Sequence, residues 1–424
     1  MSFLVLRLIT KPMSSITIDM ARTVNIMTDY EKIMTDPNNI YKGILSAIDG
    51  SKWKEKSQYS LNNILTLTFD IAKMLENRTY ISEHEASFTL HERGRLRRVD
   101  SFPVPDRAIR HVLCDDIFSS KIKNKIIYDN GASVKGRGIS HSRKRFEVHL
   151  RKFYMRHNSN DGWILFGDFS KYYDNILHDV AKEQLLELVD HDDFINWLLD
   201  VIFKEFEIDC SDLSEDDFNK LYEGVFNKLV YDPPKTKNPT KTMKKSISIG
   251  DQLSQQIGIW YPHEIDNFIK IVKSQKYYGR YMDDWYIISD SRDELIKILH
   301  KVVDICKPIG LHINVRKTHI TKLNSIYKYL QVKYTLTSTG KVIKRINPKR
   351  VTVMRHRLKK LCRKVYEGTV EYDNVENMFR AWMGSFYKLL SVEQRCNLIK
   401  LYEELFNKRI MIYNNKMYIK EDST

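Results

Sequence analysis

The chain has 424 residues, which is long enough for several subdomains around a substantial hydrophobic core. Hydrophobic residues make up 42% and charged residues 29% of the sequence, proportions that exclude a disordered or fibrous protein. Lys and Arg outnumber Asp and Glu by 69 to 54, and the resulting net charge of +15 favours a polyanionic partner, most plainly nucleic acid.

Apolar runs and cysteines exclude two further classes. No apolar run approaches the about 20 residues that a membrane-spanning helix needs. The five cysteines are scattered without CxxC spacing, so neither a zinc site nor a disulfide framework is predicted. We therefore expect a cytoplasmic protein, in a reducing compartment, without a membrane partner.

The N-terminal third combines a tail, basic clusters and a glycine-rich loop. Residues 1–27 are predicted to be an N-terminal tail. Residues 28–160 mix helical periodicity with basic clusters, including Arg97. The loop 128–138 has three glycines and carries Lys135 and Arg137, which suits close approach to a phosphate backbone.

A first candidate catalytic carboxylate stands at the end of a short apolar strand. Residues 162–167 are predicted to form this strand, Asp168 follows it, and a helix is expected from about His178. Taken alone, Asp168 would most simply be a strand-end or helix-capping residue.

The stretch between Asp179 and Met243 carries no catalytic motif. Helices are predicted at 181–189 and 194–206. The Pro- and Lys-rich run at 232–245 is interpreted as an exposed basic loop, and a solvated charged face is the alternative.

Tyr281-Met282-Asp283-Asp284 is the most informative stretch. Alternating aromatic and aliphatic residues on both sides predict two strands, with the acidic pair at a hairpin turn. Adjacent anions repel each other, and Asn-Gly or Asp-Gly would form a tight turn more readily. If this hairpin lies beside the strand of Asp168, the carboxylates converge and suit Mg²⁺. A lysine filling the space between them would contradict this interpretation.

After Pro348 the pattern changes to a long helix. An apolar stripe recurs at intervals of three and four residues, and the segment 341–364 is rich in Lys and Arg without an acidic residue. Such a helix suits a duplex backbone, and a partner-binding or membrane-surface helix is the alternative for this segment alone.

These segments, in this order, resemble the reverse transcriptases. Asp168–Tyr173 resembles the first metal-binding motif of that family, and Tyr281–Asp284 resembles the second. The resemblance implies an α+β right-hand polymerase fold. Its parts would be fingers (28–160), a palm with an antiparallel sheet and helices on one face (161–345), a fingers-side extension at about 180–245, and a helical thumb (346–424).

The resemblance also implies a metal site and a nucleotide site. Asp168, Asp283, Asp284 and the carbonyl of Phe169 would hold two Mg²⁺ ions, with Mn²⁺ as the alternative. Two such ions about 3.5–4 Å apart clamp both oxygens of a phosphoryl displacement. Arg97 would lie over the incoming triphosphate. Tyr173 would block a ribose 2′-hydroxyl and so select dNTPs, with core packing as its alternative role.

Two further motifs are implied, one of which departs from the family pattern. Lys317 would be the general acid for pyrophosphate, with a solvated lysine as the alternative. Gly250 and Gln255 belong to the motif that contacts template and nucleotide. There the chain has Ser248-Ile249-Gly250 where most members have Pro-Gln-Gly. This departure resembles reverse transcriptases of diversity-generating retroelements and of bacterial phage-defence groups.

The resemblance implies an RNA-directed DNA polymerase that makes cDNA from dNTPs on an RNA template, expected to be a dedicated noncoding RNA. Antiviral defence is the first hypothesis for its role, and diversity generation is the second. A non-catalytic RNA-binding effector is a third, although RNA binding does not require three converging anions. The oligomeric state stays open. The residues expected to contact nucleic acid are Lys135, Arg137, Arg355, Lys359 and Arg363.

Overall fold

The computed structural model describes residues 27–92, 95–234, 236, 239–413 and 416–421. The predicted N-terminal tail lies outside the described residues except for its last residue, Met27. The first described helices are α1 (Asp29–Thr35), α2 (Pro37–Ile48), α3 (Glu55–Asn62) and α4 (Ile64–Glu76). Helix α2 begins where Asp36 accepts a hydrogen bond from the amide of Asn38, with proline as its first residue.

Residues 86–92 and 95–101 form an antiparallel hairpin, which we name the fingers hairpin, and helices follow it. The elements are β1 (Ala86–Glu92), β2 (Arg95–Ser101), α5 (Val104–Val112), α6 (Ser119–Lys125) and α7 (Ile139–His157). Strands β1 and β2 pair antiparallel, with Leu90 opposite Arg97. The segment after β2 is the helix α5. Its Arg110 is fully buried among acidic partners.

Residues 163–243 contain the first motif strand and the predicted extension. The elements are β3 (Trp163–Gly167), α8 (His178–Leu186), α9 (Asp193–Phe206), β4 (Ile208–Asp209), α10 (Glu215–Glu223) and β5 (Thr242–Met243). Helices α8 and α9 pack into the main core, whereas β4, α10 and β5 surround a small apolar cluster of their own. We name residues 207–245 the insertion.

Lys245 corrects the expectation of a wholly exposed basic loop. This lysine at the end of the insertion is fully buried. Its ammonium donates to the carbonyl oxygens of Tyr222 at 2.7 Å and Gly224 at 2.8 Å. These acceptors stabilise a buried charge that a count of sequence charges would place in solvent.

The motif strands meet in one sheet. The elements are α11 (Gln252–Trp260), α12 (His263–Asn267), β6 (Tyr278–Tyr281), β7 (Asp284–Ser289), α13 (Arg292–Cys306) and β8 (His319–Lys322). Among the described residues, an antiparallel four-stranded sheet has the order β6-β7-β3-β8. Strands β3 and β7 lie at its centre, which explains their apolar sequences.

Alternate residues of the central strands face two different cores. Leu165 and Ile287 join the large core formed with α8, α9, α11 and α13. Ile164 and Ile288 point the other way, toward Phe146 and its neighbours on α7. Helices therefore cover one face as expected, and α7 covers part of the other face as well.

The C-terminal part adds a small sheet, three helices and a hairpin. The elements are β9 (Tyr327–Tyr329), β10 (Val332–Leu336), β11 (Val342–Ile346), α14 (Pro348–Tyr366), α15 (Tyr372–Phe386), α16 (Val392–Phe406), β12 (Lys408–Tyr413) and β13 (Lys416–Glu421). Helices α14, α15 and α16 share a separate core that includes Val351, Met354 and Leu358. Within the described part of the chain, each helix is too short or too polar to span a bilayer.

Candidate active site

Three carboxylates meet at one end of the central sheet. Gly167, the last residue of β3, pairs with Trp285 of β7, so the next residue, Asp168, lies beside the start of β7. Carboxylate oxygens of Asp168, Asp283 and Asp284 all lie within 4.8 Å of one another. The first side chain is buried, the second is half-buried and the third is exposed. The sheet thus brings together acids that are far apart in the sequence.

The turn between β6 and β7 directs the acidic pair. Tyr281 pairs with Asp284, which leaves Met282 and Asp283 as the two turn residues. Met282 has φ 55°, in the left-handed region that side chains rarely adopt. This strained backbone needs support, which comes from the preceding strand.

Arg280 supplies that support from the protein interior. Its guanidinium is fully buried and donates to the Met282 carbonyl oxygen at 3.2 Å and to the Ile259 carbonyl oxygen at 2.8 Å. It also forms a two-pronged ion pair with Asp266, in which Nη2 lies 2.7 Å from Oδ2 and Nε lies 2.9 Å from Oδ1. This network fixes the acidic turn against α11 and α12.

The positive charge near the three acids is too small to neutralise all of them. Burial, followed by the charge of Asp168, raises the pKa of Asp283 above its usual range. Partial removal from water, followed by the charges of Asp283 and Asp168, raises the pKa of Asp284 to about 7. Removal from water and repulsion between the neighbouring anions thus both favour the protonated carboxyls.

The cluster fits a divalent cation. All three side-chain groups are hard oxygen donors, and their spacing allows one small ion to contact more than one of them. Phe169 stacks its buried ring on Tyr172, so only its main chain could serve the site, which is the role the sequence predicted.

Lys317 contacts Asp168 directly. Its Nζ lies 2.7 Å from Oδ1 and 2.6 Å from Oδ2 of that carboxylate, and Asn314 Nδ2 donates to Oδ1 at 2.9 Å. The lysine does not separate the acids, because carboxylate oxygens of Asp168, Asp283 and Asp284 still lie within 4.8 Å of one another. Lys317 is therefore the counter-ion of Asp168 in this structure, a contact that the sequence prediction of a general acid did not include.

Tyr173 is close enough to the acids and to the fingers hairpin for charges on both to act on it. The charges of Asp283 and Arg97 both act on its hydroxyl, whose pKa is raised first by burial and then by Asp283. Gly258 of α11 makes room for it, because a Cβ there would lie 2.8 Å from the tyrosine hydroxyl. Sequence reasoning missed Gly258, although a glycine inside a helix that follows a motif predicted to contact nucleotide is a signal.

The loop before α11 packs against the fingers hairpin. Gly250 has φ 109°, and a Cβ at this position would lie 3.2 Å from Val99 on β2. Gln255 is exposed on the first turns of α11. The structure therefore places Gly250 beside the strand of Arg97, and a nucleotide contact for Gln255 stays a prediction.

The predicted nucleic-acid contacts divide into two groups. Arg137 donates to the carbonyl oxygens of Ile127 and Asn130 at 3.3 Å and 3.0 Å, so in this structure it braces its own loop. Lys135, in contrast, is exposed. Three cations on the long helix α14 are likewise exposed, namely Arg355, Lys359 and Arg363.

No curated protein sequence matches the chain. Among solved structures, an apo telomerase from Candida tropicalis is 11% identical with a TM-score of 0.38, covering 63% of this chain and 51% of that one. A telomerase from Candida albicans in complex with a fragment of telomeric RNA is 13% identical with a TM-score of 0.40, covering 81% of this chain and 65% of that one. Likenesses this weak support no inference.

The family comparison is stronger. The family described as "Reverse transcriptase (RNA-dependent DNA polymerase)" matches residues 104–335, which is more than half of the chain. The match includes β3 with Asp168, the acidic hairpin and the segment of Lys317, and its fold class is the α+β right-hand polymerase fold that the sequence predicted. The chain belongs to the reverse transcriptase family.

Proposed function

We propose that this chain is an RNA-directed DNA polymerase that synthesises cDNA from dNTPs on an RNA template by two-metal-ion nucleotidyl transfer. The observation that carries the proposal is the convergence of Asp168, Asp283 and Asp284 at the end of the central sheet. Three anions are costly to bring together without a cation, and binding of RNA alone gives no reason for them.

The carboxylates of Asp168, Asp283 and Asp284 and the carbonyl of Phe169 would hold Mg²⁺, with Mn²⁺ as a substitute. When bound, two such ions would lower the pKa of the primer 3′-hydroxyl and neutralise charge on the phosphates. The pKa values of Asp283 and Asp284, raised by partial removal from water and by the neighbouring anions, support this assignment.

Other side chains of the chain bind and orient the nucleotide in this proposal. The charge of Arg97 on β2 acts on Asp283, and Arg97 would hold the triphosphate. Tyr173 would lie against the sugar and exclude a 2′-hydroxyl. Lys317 begins as the counter-ion of Asp168, so neutralisation of that carboxylate would free its ammonium to donate a proton to pyrophosphate.

A primer-extension assay on poly(rA) with an oligo(dT) primer, dTTP and Mg²⁺ tests the proposal. Asp283→Asn combined with Asp284→Asn is expected to abolish incorporation, while retention of labelled RNA on a filter stays within about twofold. The control Asp304→Asn changes an exposed acid of α13 and is expected to leave both measurements unchanged. Extension by the folded double variant would refute the metal mechanism. RNA retention without any extension by the unmodified chain would favour a non-catalytic RNA-binding effector.

We further propose that the enzyme acts in the cytoplasm of a bacterium in antiviral defence, with a dedicated noncoding RNA as template. The chain has Ser248-Ile249-Gly250 where most members have Pro-Gln-Gly, which supports a specialised group of reverse transcriptases. The side chain of Ile249 cannot form a hydrogen bond with a base pair. Sequencing of the RNA and DNA that copurify with the chain tests this role. Copies of a single structured noncoding RNA support defence, and copies of a protein-coding repeat with scattered substitutions support diversity generation.

A further inference from the structure

The insertion contacts two segments that carry predicted nucleotide ligands, namely the turn of Tyr173 and the strand of Arg97. It carries no catalytic motif of its own. Asn175, just after the first motif, forms hydrogen bonds with both main-chain groups of Phe226. Its Oδ1 accepts from the Phe226 amide at 2.9 Å, and its Nδ2 donates to the Phe226 carbonyl oxygen at 3.1 Å. Two residues later, the amide of Lys228 donates to Asp174 at 3.3 Å. This part of the insertion is therefore tied to the turn that carries Tyr173.

The side chain of Lys228 then reaches the fingers hairpin. Its Nζ donates to Asp100 Oδ2 at 2.8 Å, and the two side chains are only 19% and 7% exposed. Asp100 lies on β2, three residues after Arg97. One charged contact thus joins the insertion to the strand that carries the predicted triphosphate ligand.

The carboxylate of Asp100 also has partners outside the insertion. Ser248 donates to Oδ2 at 2.8 Å and Ser87 donates to Oδ1 at 2.6 Å, while His84 lies 3.7 Å from Oδ1. Its own amide donates to the carbonyl oxygen of Ile249 at 3.4 Å. The carboxylate therefore links β1, β2, the loop before α11 and the insertion.

The ion pair lies behind Arg97 rather than in the substrate site. Side chains alternate along a strand, so Asp100 points to the face opposite Arg97 and Val99. Val99 packs on Gly250, and the charge of Arg97 acts on Tyr173 and Asp283. Burial alone would raise the pKa of Asp100, but the charge and hydrogen bond of Lys228, with those from the two serines, lower it to about 2.

We propose that Lys228 is a positioning residue for nucleotide binding, which through Asp100 fixes the strand of Arg97 relative to the turn of Tyr173. The inference rests on the proposed polymerase function. The insertion then affects nucleotide binding through these contacts, without touching the substrate. Because Arg97 would bind phosphates in both the ground state and the transition state, its displacement affects KM more than kcat.

Steady-state dTTP titration on poly(rA) and oligo(dT) with Mg²⁺ tests the inference. Lys228→Met is expected to raise KM for dTTP roughly tenfold and to change kcat by less than about twofold. Lys228→Arg keeps the charge and is expected to restore KM to within about threefold of the unmodified chain. Lys220→Met is the matched control, because this lysine of the same insertion is exposed and pairs only with the exposed Asp217 among the described residues.

A purely structural role predicts a different result, namely a lower kcat from a smaller active fraction with KM unchanged. That result would overturn the inference, as would equal effects of Lys228→Met and Lys220→Met. Absence of incorporation by the unmodified chain would instead contradict the proposed function.

Hydrogen exchange provides a second measurement that needs no activity. Peptides covering residues 96–101 include the Asp100 amide, whose bond to Ile249 depends on the docked hairpin. Lys228→Met is expected to speed their exchange about tenfold, with Lys220→Met unchanged. Unaltered protection in Lys228→Met would overturn the inference whatever the activity of the chain.

Discussion

Replacement of the buried Arg280 is expected to separate the stability of the fold from the function of the acidic turn. The guanidinium neutralises Asp266 in the interior and donates to the carbonyl oxygens of Met282, in the turn, and of Ile259. Arg280→Met removes these interactions while keeping an apolar side chain of similar length. Asp266, only 1% exposed, then stays buried without its cation.

The expected loss is large because an uncompensated charge remains. Breaking a buried ion pair by removal of one partner costs about 3–5 kcal/mol, and the lost bonds to Met282 and Ile259 add about 1 kcal/mol each. A typical domain is stable by about 5–15 kcal/mol, so the variant loses a substantial fraction. Adding Asp266→Asn removes the buried charge and keeps an acceptor for the Tyr278 hydroxyl, so we expect about 2 kcal/mol to return.

Urea unfolding followed by circular dichroism measures the free energy, and primer extension measures function. Arg280→Met is expected to lose stability and activity, whereas Arg280→Met with Asp266→Asn regains stability and remains at least about tenfold less active, because the turn still lacks its donor. Arg151→Met, at an exposed position of α7, is the control and should cost less than about 0.5 kcal/mol. A loss below about 1 kcal/mol for Arg280→Met, or full activity of the double variant, would refute this account of the turn.

Three further outcomes follow from the site. Lys317→Met removes the counter-ion of Asp168, so Mn²⁺ binding measured by paramagnetic resonance should tighten. The extension rate at saturating metal should fall about 10²-fold. Weaker Mn²⁺ binding would contradict the role of Lys317 as counter-ion. Gly258→Ala should displace Tyr173 and lower the selectivity for dTTP over UTP about tenfold, whereas Gly384→Ala, with open space at its Cβ, should not. Since metal binds the deprotonated carboxyl and the pKa of Asp284 is raised to about 7, Mn²⁺ affinity should rise with pH up to about 7 and level off above it. A flat profile from pH 5.5 to 8.5 would contradict that pKa.

Much of the fold follows from patterns that are local in the sequence. The period-two alternation around the acidic pair predicted the strands β6 and β7, and the three-four spacing after Pro348 predicted α14. Antiparallel pairing of β3 with β7 then brings the acids together, as expected if their strands are neighbours. These features depend on the nearby sequence and on the few ways in which strands can pair.

The remaining features depend on contacts between distant residues. The pairs Lys317–Asp168 and Lys228–Asp100 join residues far apart in the chain, and the local sequence does not indicate which acid each lysine contacts. The buried ammonium of Lys245 is stabilised by two carbonyl oxygens, although the neighbouring residues in the sequence predict an exposed side chain. Arg137 lies in the expected loop but donates to that loop's own carbonyls. In each of these places the acceptor, which only the fold provides, determines the role of the cation.

Anomalous X-ray diffraction from crystals equilibrated with Mn²⁺ and dTTP would test the three-carboxylate site most directly. The account predicts a metal peak bonded to Asp168 and Asp283, with the Lys317 ammonium moved away from Asp168. A structure at saturating Mn²⁺ that has no peak among the three acids, and still has Lys317 paired with Asp168, would contradict it.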